Sequence, residues 1–423
     1  MTADSAQPGL ARRLGTTDAV AVGLGSMVGA GVFAAFAPAA QVAGSWLLAG
    51  LAVAAVVAYC NATASAQLAA QYPTSGGTYV YGRVRLGSWW GFVAGWGFVL
   101  GKTASCAAMA LTFATYAAPA GWRRPVAVAA VIVLTSVNYR GVTRTARLTR
   151  IIVSVVLSAL AVVVAAAWLG ASPDLARANP LSTSGGGWHG VLQSAGLLFF
   201  AFAGYARIAT MGEEVRDPAR TIPRAILTAL GLAVAVYAVI ALTVLSTLGP
   251  DGVAATPAPL AAAVEAGSWG WAAAVVRVGG AAASLGALLA LIAGIGRTSL
   301  AMARERDLPG WLAAVHPRFK VPHHAEVLLG AVVCVLVLTV DLRGAIGFSS
   351  FGVLVYYLVA NLSAWTQTGV HRRYPRALQL IGAVGCAALV LSLPLNAVLV
   401  GSAVLLAGVM YRLSRVRGNT PGT

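Results

Sequence analysis

The sequence predicts an all-α polytopic membrane protein with about twelve transmembrane helices, and three observations carry that prediction. Of 423 residues, 59% are hydrophobic and only 10% charged, which would leave a water-soluble globule with large apolar surfaces exposed. Apolar runs recur along the chain at the length of about 20 residues that a bilayer crossing needs. The basic residues gather on alternate connections between those runs.

The segments follow in order from their boundaries. The first, near 17–37, follows a polar start with Arg12 and Arg13; its apolar run is too long for a signal-peptide core and no small-residue cleavage site precedes it. The second, 46–68, ends before Tyr72-Pro73. The third, 88–116, starts after Arg85 and Gly87. The fourth, 125–139, lies between Arg123-Arg124 and Arg140. The fifth, 148–170, follows the basic stretch Arg140 to Arg147, and the sixth covers 190–212. The seventh, 224–247, is framed by Pro223 and Gly249-Pro250, and the eighth is 270–300. The ninth and tenth, 325–340 and 345–366, are separated around Asp341. The last two, 377–393 and 395–412, meet at Pro394. One membrane domain is expected: a cytoplasmic N-terminus over 1–15, a core over 17–366, two further helices over 377–412 and a cytoplasmic tail over 413–423. Outer loops are expected near 171–189 and 249–268.

A net charge of +17 would suggest nucleic acid in a soluble protein; here its distribution is explained by the preference of basic residues for the cytoplasmic side. The inner connections carry Arg83, Arg85, Arg140, Arg144, Arg147, Arg150, Arg216, Arg220, Arg224, Arg304, Arg306, Arg318 and Lys320, against Arg123, Arg124, Arg177 and Arg343 outside. Both termini are therefore expected in the cytoplasm of a cell that carries the protein in its plasma membrane.

Two spans are interrupted. GLGSMVGAGVF, Gly23 to Phe33, places four glycines (Gly23, Gly25, Gly29, Gly31) in a membrane-crossing run, although each costs about 1 kcal/mol relative to alanine inside a helix. GLLFFAFAGYARIATMGEE, the sixth segment, has Gly204, Tyr205, Ala206 and Arg207 near its middle. Breaks in the first and sixth spans are five segments apart, so the second half enters the membrane in the opposite sense. That is an inverted repeat of helices 1–5 and 6–10, with the two broken helices marking a site near the midplane. Interrupted backbone frees N–H and C=O groups where only a cavity or a ligand satisfies them. A half-helix starting near Gly31 suits a carboxylate, and carbonyls near Met27 and Ala203 suit an ammonium. The competing explanation is that the glycines serve close helix packing.

At these residues the sequence resembles the amino acid–polyamine–organocation (APC) superfamily of secondary transporters. The motifs are GSMVGAGVF (25–33), YPTSGGTYVYGR (72–83), YRGVTRTARL (139–148), FFAFAGYARIATMGEEVRDPARTIPRAI (199–226) and AMARERDLPG (301–310). The resemblance implies alternating-access transport of an amino acid. It implies a substrate carboxylate held by backbone amides at Ala30 and Gly31, beside Gly29. It implies an ammonium held by carbonyls at Met27, Phe200 and Ala203, beside Gly204, with the Phe200 ring as a gate. Three positions depart from the family pattern. Ala206 stands where members handling cationic substrates often have an acid, Val156 where some proton-coupled members have a lysine, and Asp217 where Asn is usual before Pro.

None of the twelve acidic residues falls in the middle of a span, so a substrate's cationic side chain would be buried without a partner, at a cost of several kcal/mol. A small or apolar neutral amino acid is expected. Lys102 lies near the centre of the third span, ten or more residues from either end and beyond snorkelling reach, where a charged lysine costs about 3 kcal/mol. A lysine can gain and lose a proton where an arginine stays charged, so Lys102 is expected to couple transport to protons. The alternatives are that Lys102 and Arg207 pair with an acidic amino acid or organic anion, or that the carrier is sodium-coupled through Ser284, Thr298 and Ser299 or works by exchange. Arg207 is read as a gating residue or a partner of Glu213 and Glu214, and Arg277 as snorkelling outward.

Cys60, Cys106, Cys334 and Cys386 fall in spans without CxxC spacing, implying neither a disulfide framework nor a metal site. The five histidines fall in loops, and no nucleophile–base pair is visible at membrane depth, so an enzyme is not expected. A channel would show a filter or charge ring. The expected partners are an amino acid, protons or sodium, and the bilayer, with no cofactor and no nucleic acid.

Overall fold

The computed structural model describes residues 14–74, 76–141, 146–179 and 187–418. Arg12, Arg13 and Arg144 of the basic inner set, most of the N-terminal segment and the end of the tail lie outside them. The first span is divided into α1 (Thr16–Met27), α2 (Ala30–Ala34) and α3 (Phe36–Ala43), and the second is α4 (Leu47–Gln71). A short α5 (Gly77–Leu86) precedes the third span, α6 (Ser88–Ala117), followed by α7 (Arg123–Tyr139) and α8 (Ala146–Gly170). The sixth span is α9 (Gly187–Phe202) and α10 (Ala206–Ala209), and the seventh is α11 (Pro218–Ala255). After α12 (Pro259–Glu265) come α13 (Ala273–Arg304), α14 (His323–Thr339), α15 (Leu342–Trp365), α16 (Arg376–Ser392) and α17 (Leu395–Gly418). Among the described residues, ten helices are long and apolar enough to cross a membrane, and α14 and α16 are shorter apolar helices.

Every expected span has its helix, and the differences lie in the connections. The seventh helix runs past its expected end, across a non-helical Gly249 at φ 71°, to Ala255; α12 occupies part of what reads as an outer loop, and α5 part of the YPTSGGTYVYGR connection, which reads as an inner one. These pieces are too short to announce themselves by apolar length, the property that locates spans.

The packing is that of an inverted repeat. α6, the third span, packs on α15, the tenth, while α13, the eighth, packs on α8, the fifth. α1 packs on α11 as α9 packs on α4; α6 meets α14 as α13 meets α7; α8 meets α1 as α15 meets α9. Each contact becomes its counterpart when the first five spans are exchanged with the second five. α16 and α17 stand outside this exchange and pack on α15. Large apolar side chains such as Ile132, Val133, Val332 and Val335 face outward and are more than two-fifths exposed, as a lipid-facing surface requires.

Two contacts tie connections together at the face carrying the described ends of the chain. Leu14 forms a parallel bridge with Val215, through Leu14 N to the Glu214 carbonyl at 3.1 Å and Arg216 N to the Leu14 carbonyl at 2.9 Å. Asp307, 3% exposed, receives Arg83 at 2.9 Å, Arg412 at 3.2 Å and the Tyr79 hydroxyl at 2.8 Å, joining α5, the turn after α13, and α17.

Candidate functional site

The two interruptions meet. α1 ends at Met27, Val28 leaves helical geometry at ψ 20°, Gly29 stands at ψ −134°, and helix resumes at Ala30. Ala35 keeps right-handed helical dihedrals between α2 and α3 and donates its N–H to the Gly31 carbonyl, so the second half of the span continues to Ala43. In the sixth span the change is milder: α9 passes through one 3-10 turn, Ala203–Tyr205, into α10.

Glycine lets these breaks touch backbone to backbone. A Cβ at Gly204 would lie 2.3 Å from the Ser26 carbonyl, and one at Gly31 would lie 2.6 Å from the Ala201 Cα. Close packing and interruption thus belong to different glycines: Gly31 and Gly204 allow the crossing, whereas Gly29 occupies the break itself, where an added Cβ would come no nearer than 3.3 Å to a neighbour.

Three carbonyls beside the breaks, those of Met27, Ala201 and Ala203, have side-chain partners from the chain itself. Lys102, 6% exposed, donates from Nζ to the Ala203 carbonyl at 3.2 Å. The Tyr237 hydroxyl of α11 lies 2.5 Å from the Met27 carbonyl and 2.9 Å from that of Ala201; one hydroxyl carries one proton, so it satisfies these two carbonyls alternately. Lys102 is held there by an unusually close helix pair. A Cβ at Gly101 would lie 2.8 Å from the Ser349 carbonyl, one at Gly352 2.5 Å from the Gly97 carbonyl, and the Ser105 and Ser349 hydroxyls are 2.6 Å apart. Small residues on both surfaces bring α6 and α15 together and fix the height of Lys102 against α9–α10.

Met27, Ala30, Phe200, Ala203 and Ala206 are all buried around this crossing. Phe202 stacks edge-on against Tyr237 with ring centroids 5.0 Å apart. On the α2 side, Phe33 meets Tyr116 at 5.4 Å, and the Tyr116 hydroxyl donates to the Phe33 carbonyl at 3.2 Å. Val156 of α8 lines an apolar recess with Gly25, Val28, Gly29, Ile152, Val153 and Ala283, so the position of the family lysine does face the first break, with an aliphatic side chain in its place.

Arg207 turns away from the crossing. Its guanidinium pairs with Glu214 at 3.1 Å and reaches the Thr210 hydroxyl at 3.2 Å, a pairing that its sequence position allows. Arg277 pairs with Glu265 at 2.9 Å. The Ser284 and Thr298 hydroxyls donate to carbonyls of their own helix, at Gly280 and Gly294. Among the described residues no three His, Cys, Asp or Glu side chains gather as a metal site. The residue that sequence reasoning missed is Tyr237; its only signal is a hydroxyl-bearing ring in an otherwise apolar stretch of the seventh span.

The amino acid permease family model matches residues 14–412. The chain belongs to the amino acid permease family. This permease is also 61% identical over 408 residues to an "uncharacterized transporter" of Mycobacterium tuberculosis (strain ATCC 25618 / H37Rv), covering 96% of the chain and 92% of that relative. It is 24% identical over 405 residues to the branched-chain amino acid permease BcaP of Bacillus subtilis, covering 90% and 86% of the two chains. It is 29% identical over 377 residues to the chloroplastic cationic amino acid transporter 7 of Arabidopsis thaliana, covering 83% and 64%. The permease is therefore a transporter of the APC superfamily, with the family's interrupted first and sixth spans.

Proposed function

We propose that this permease moves small or apolar neutral amino acids across the plasma membrane by alternating access, with both termini cytoplasmic and protons as the coupling ion. The carrying observation is Lys102: a buried amine at the break of the sixth span, bonded to a backbone carbonyl. The substrate's carboxylate would meet the start of α2 at Ala30 and Gly31, beside Gly29. Its ammonium would meet the carbonyls of Met27, Phe200 and Ala203, beside Gly204, with the Phe200 ring as a gate. Arg207 belongs to the inner closure through Glu214. Buried Ala206 offers a cationic side chain no counter-charge, which favours neutral substrates over the cationic ones in the name of the Arabidopsis relative. The name of the Bacillus relative fits the neutral reading.

The test is uptake into proteoliposomes of leucine, alanine, arginine and glutamate, with and without an inward proton gradient. Leucine or alanine uptake should saturate and accelerate with the gradient, and arginine uptake should be poor. Lys102→Met should retain binding and lose the acceleration, and Lys102→Arg should not restore it, because arginine does not release its proton. Strong saturable arginine uptake would overturn the neutral reading. Gradient dependence intact in Lys102→Met would remove the coupling role, and glutamate binding lost in that variant would favour an acidic-substrate carrier.

A further inference from the structure

The geometry points to Lys102 as a built-in competitor for the substrate: its amine occupies the Ala203 carbonyl that an amino acid's ammonium would use, so the two bind there by turns. This rests on the proposal that the carbonyls of the breaks receive that ammonium. Nζ lies 3.2 Å from the Ala203 oxygen, an ordinary hydrogen-bond length for an amine donor. An alkylammonium and the α-ammonium of an amino acid present the same three donors, so a carbonyl that holds one offers the other an equivalent bond.

The surroundings make the exclusion mutual. Ala203 and Phe200 are buried at 3% and 6% exposure, and the backbone of Gly204 lies against Ser26 and Met27. A second ammonium on the same carbonyl would lie beside that of Lys102, and two like charges a few ångströms apart in a poorly solvated space repel strongly. Lys102 cannot yield by a shift of its helix, because Gly97 and Gly101 are locked against Ser349 and Gly352 of α15. It yields by swinging its side chain off Ala203. Tyr237 holds Met27 and Ala201 in parallel, so at these carbonyls a substrate must exchange for protein donors. Lys102 lowers apparent affinity in proportion to how well it holds the carbonyl.

The experiment compares the full-length protein and Lys102→Met in nanodiscs, with L-leucine, L-alanine and the 2-hydroxy acid analogue of leucine, which keeps the carboxylate and lacks the ammonium. The competition predicts that Lys102→Met binds leucine or alanine about tenfold tighter or more, while affinity for the hydroxy acid stays unchanged. Equal or weaker amino acid binding in Lys102→Met overturns the competition and leaves the amino acid assignment standing. Absence of neutral amino acid binding to both proteins overturns the assignment, and the competition with it. A second measurement needs no change at the site. The sequence has two lysines, Lys102 and Lys320, so isotope-labelled lysine in a Lys320→Arg protein reports Lys102 alone. Leucine should shift its side-chain resonance and the hydroxy acid should not; a resonance unmoved at leucine saturation overturns the proposal.

Discussion

At the scale of single residues, the crossing of the broken helices is governed by the backbone carbonyls beside the breaks, and by two side chains that donate to them. Lys102 and Tyr237 come from different helices, and each ends on a carbonyl beside a break. Tyr237→Phe removes the hydroxyl and little else, leaving the Met27 and Ala201 carbonyls to share no donor. It should lower stability by about 1–3 kcal/mol, read as a drop in the thermal midpoint of purified protein, and it should loosen the junction of α1 with α9. An unchanged midpoint would mean that these carbonyls find other partners. Lys102 was legible in the sequence because a charge in mid-span demands a reason. Tyr237 was not, because a tyrosine in a membrane helix has many bland explanations and its two acceptors are 210 and 36 residues away in sequence.

At the scale of elements, the interrupted spans are held by what faces them. Gly31 presses on Ala201, so a side chain there forces α2 away from α9 before it affects anything bound between them. Gly31→Val should therefore insert in the membrane normally, lose amino acid binding, and lower the thermal midpoint, since overpacking costs about 1–3 kcal/mol. Normal binding with an unchanged midpoint would show that the crossing tolerates a branched side chain and is looser than drawn. The position and order of the spans were readable from apolar length, and the breaks from glycine in the wrong setting. The extension of α11 across Gly249 to Ala255, and helices α5 and α12, were not readable, because short amphipathic or Pro-flanked helices depend on tertiary contacts for most of their stability. The first break is sharp and the sixth is only a turn of 3-10 helix, a distinction that residue types alone do not draw.

At the scale of the whole molecule, the inverted repeat is completed by contacts at one face. Asp307 gathers Arg83, Tyr79 and Arg412, and the Arg412 guanidinium also lies 4.6 Å from the Trp89 ring and 5.0 Å from that of Phe92. The last helix, outside the repeat, is thus fastened to the turn that ends the eighth span. Asp307→Asn removes the carboxylate that Arg83 and Arg412 share and leaves Arg83 only Glu305, at 2.9 Å; it should destabilise the protein by about 3 kcal/mol, measured as a lower thermal midpoint with membrane insertion retained. A midpoint equal to that of the parent would show that α17 is held without this carboxylate. From the sequence alone came the membrane class, the order of the spans, the repeat with its paired breaks, and a buried lysine in need of a role. These are local or periodic properties, set by the transfer of apolar length into lipid and by the cost of glycine and charge there. Only the tertiary structure decided that Lys102 ends on Ala203, that Tyr237 bridges Met27 and Ala201, that Arg207 turns to Glu214, and that Val156 faces the first break. Those are meetings between residues far apart in the chain, and they depend on helix rotation and crossing, which close glycine contacts set to fractions of an ångström and hydropathy does not encode.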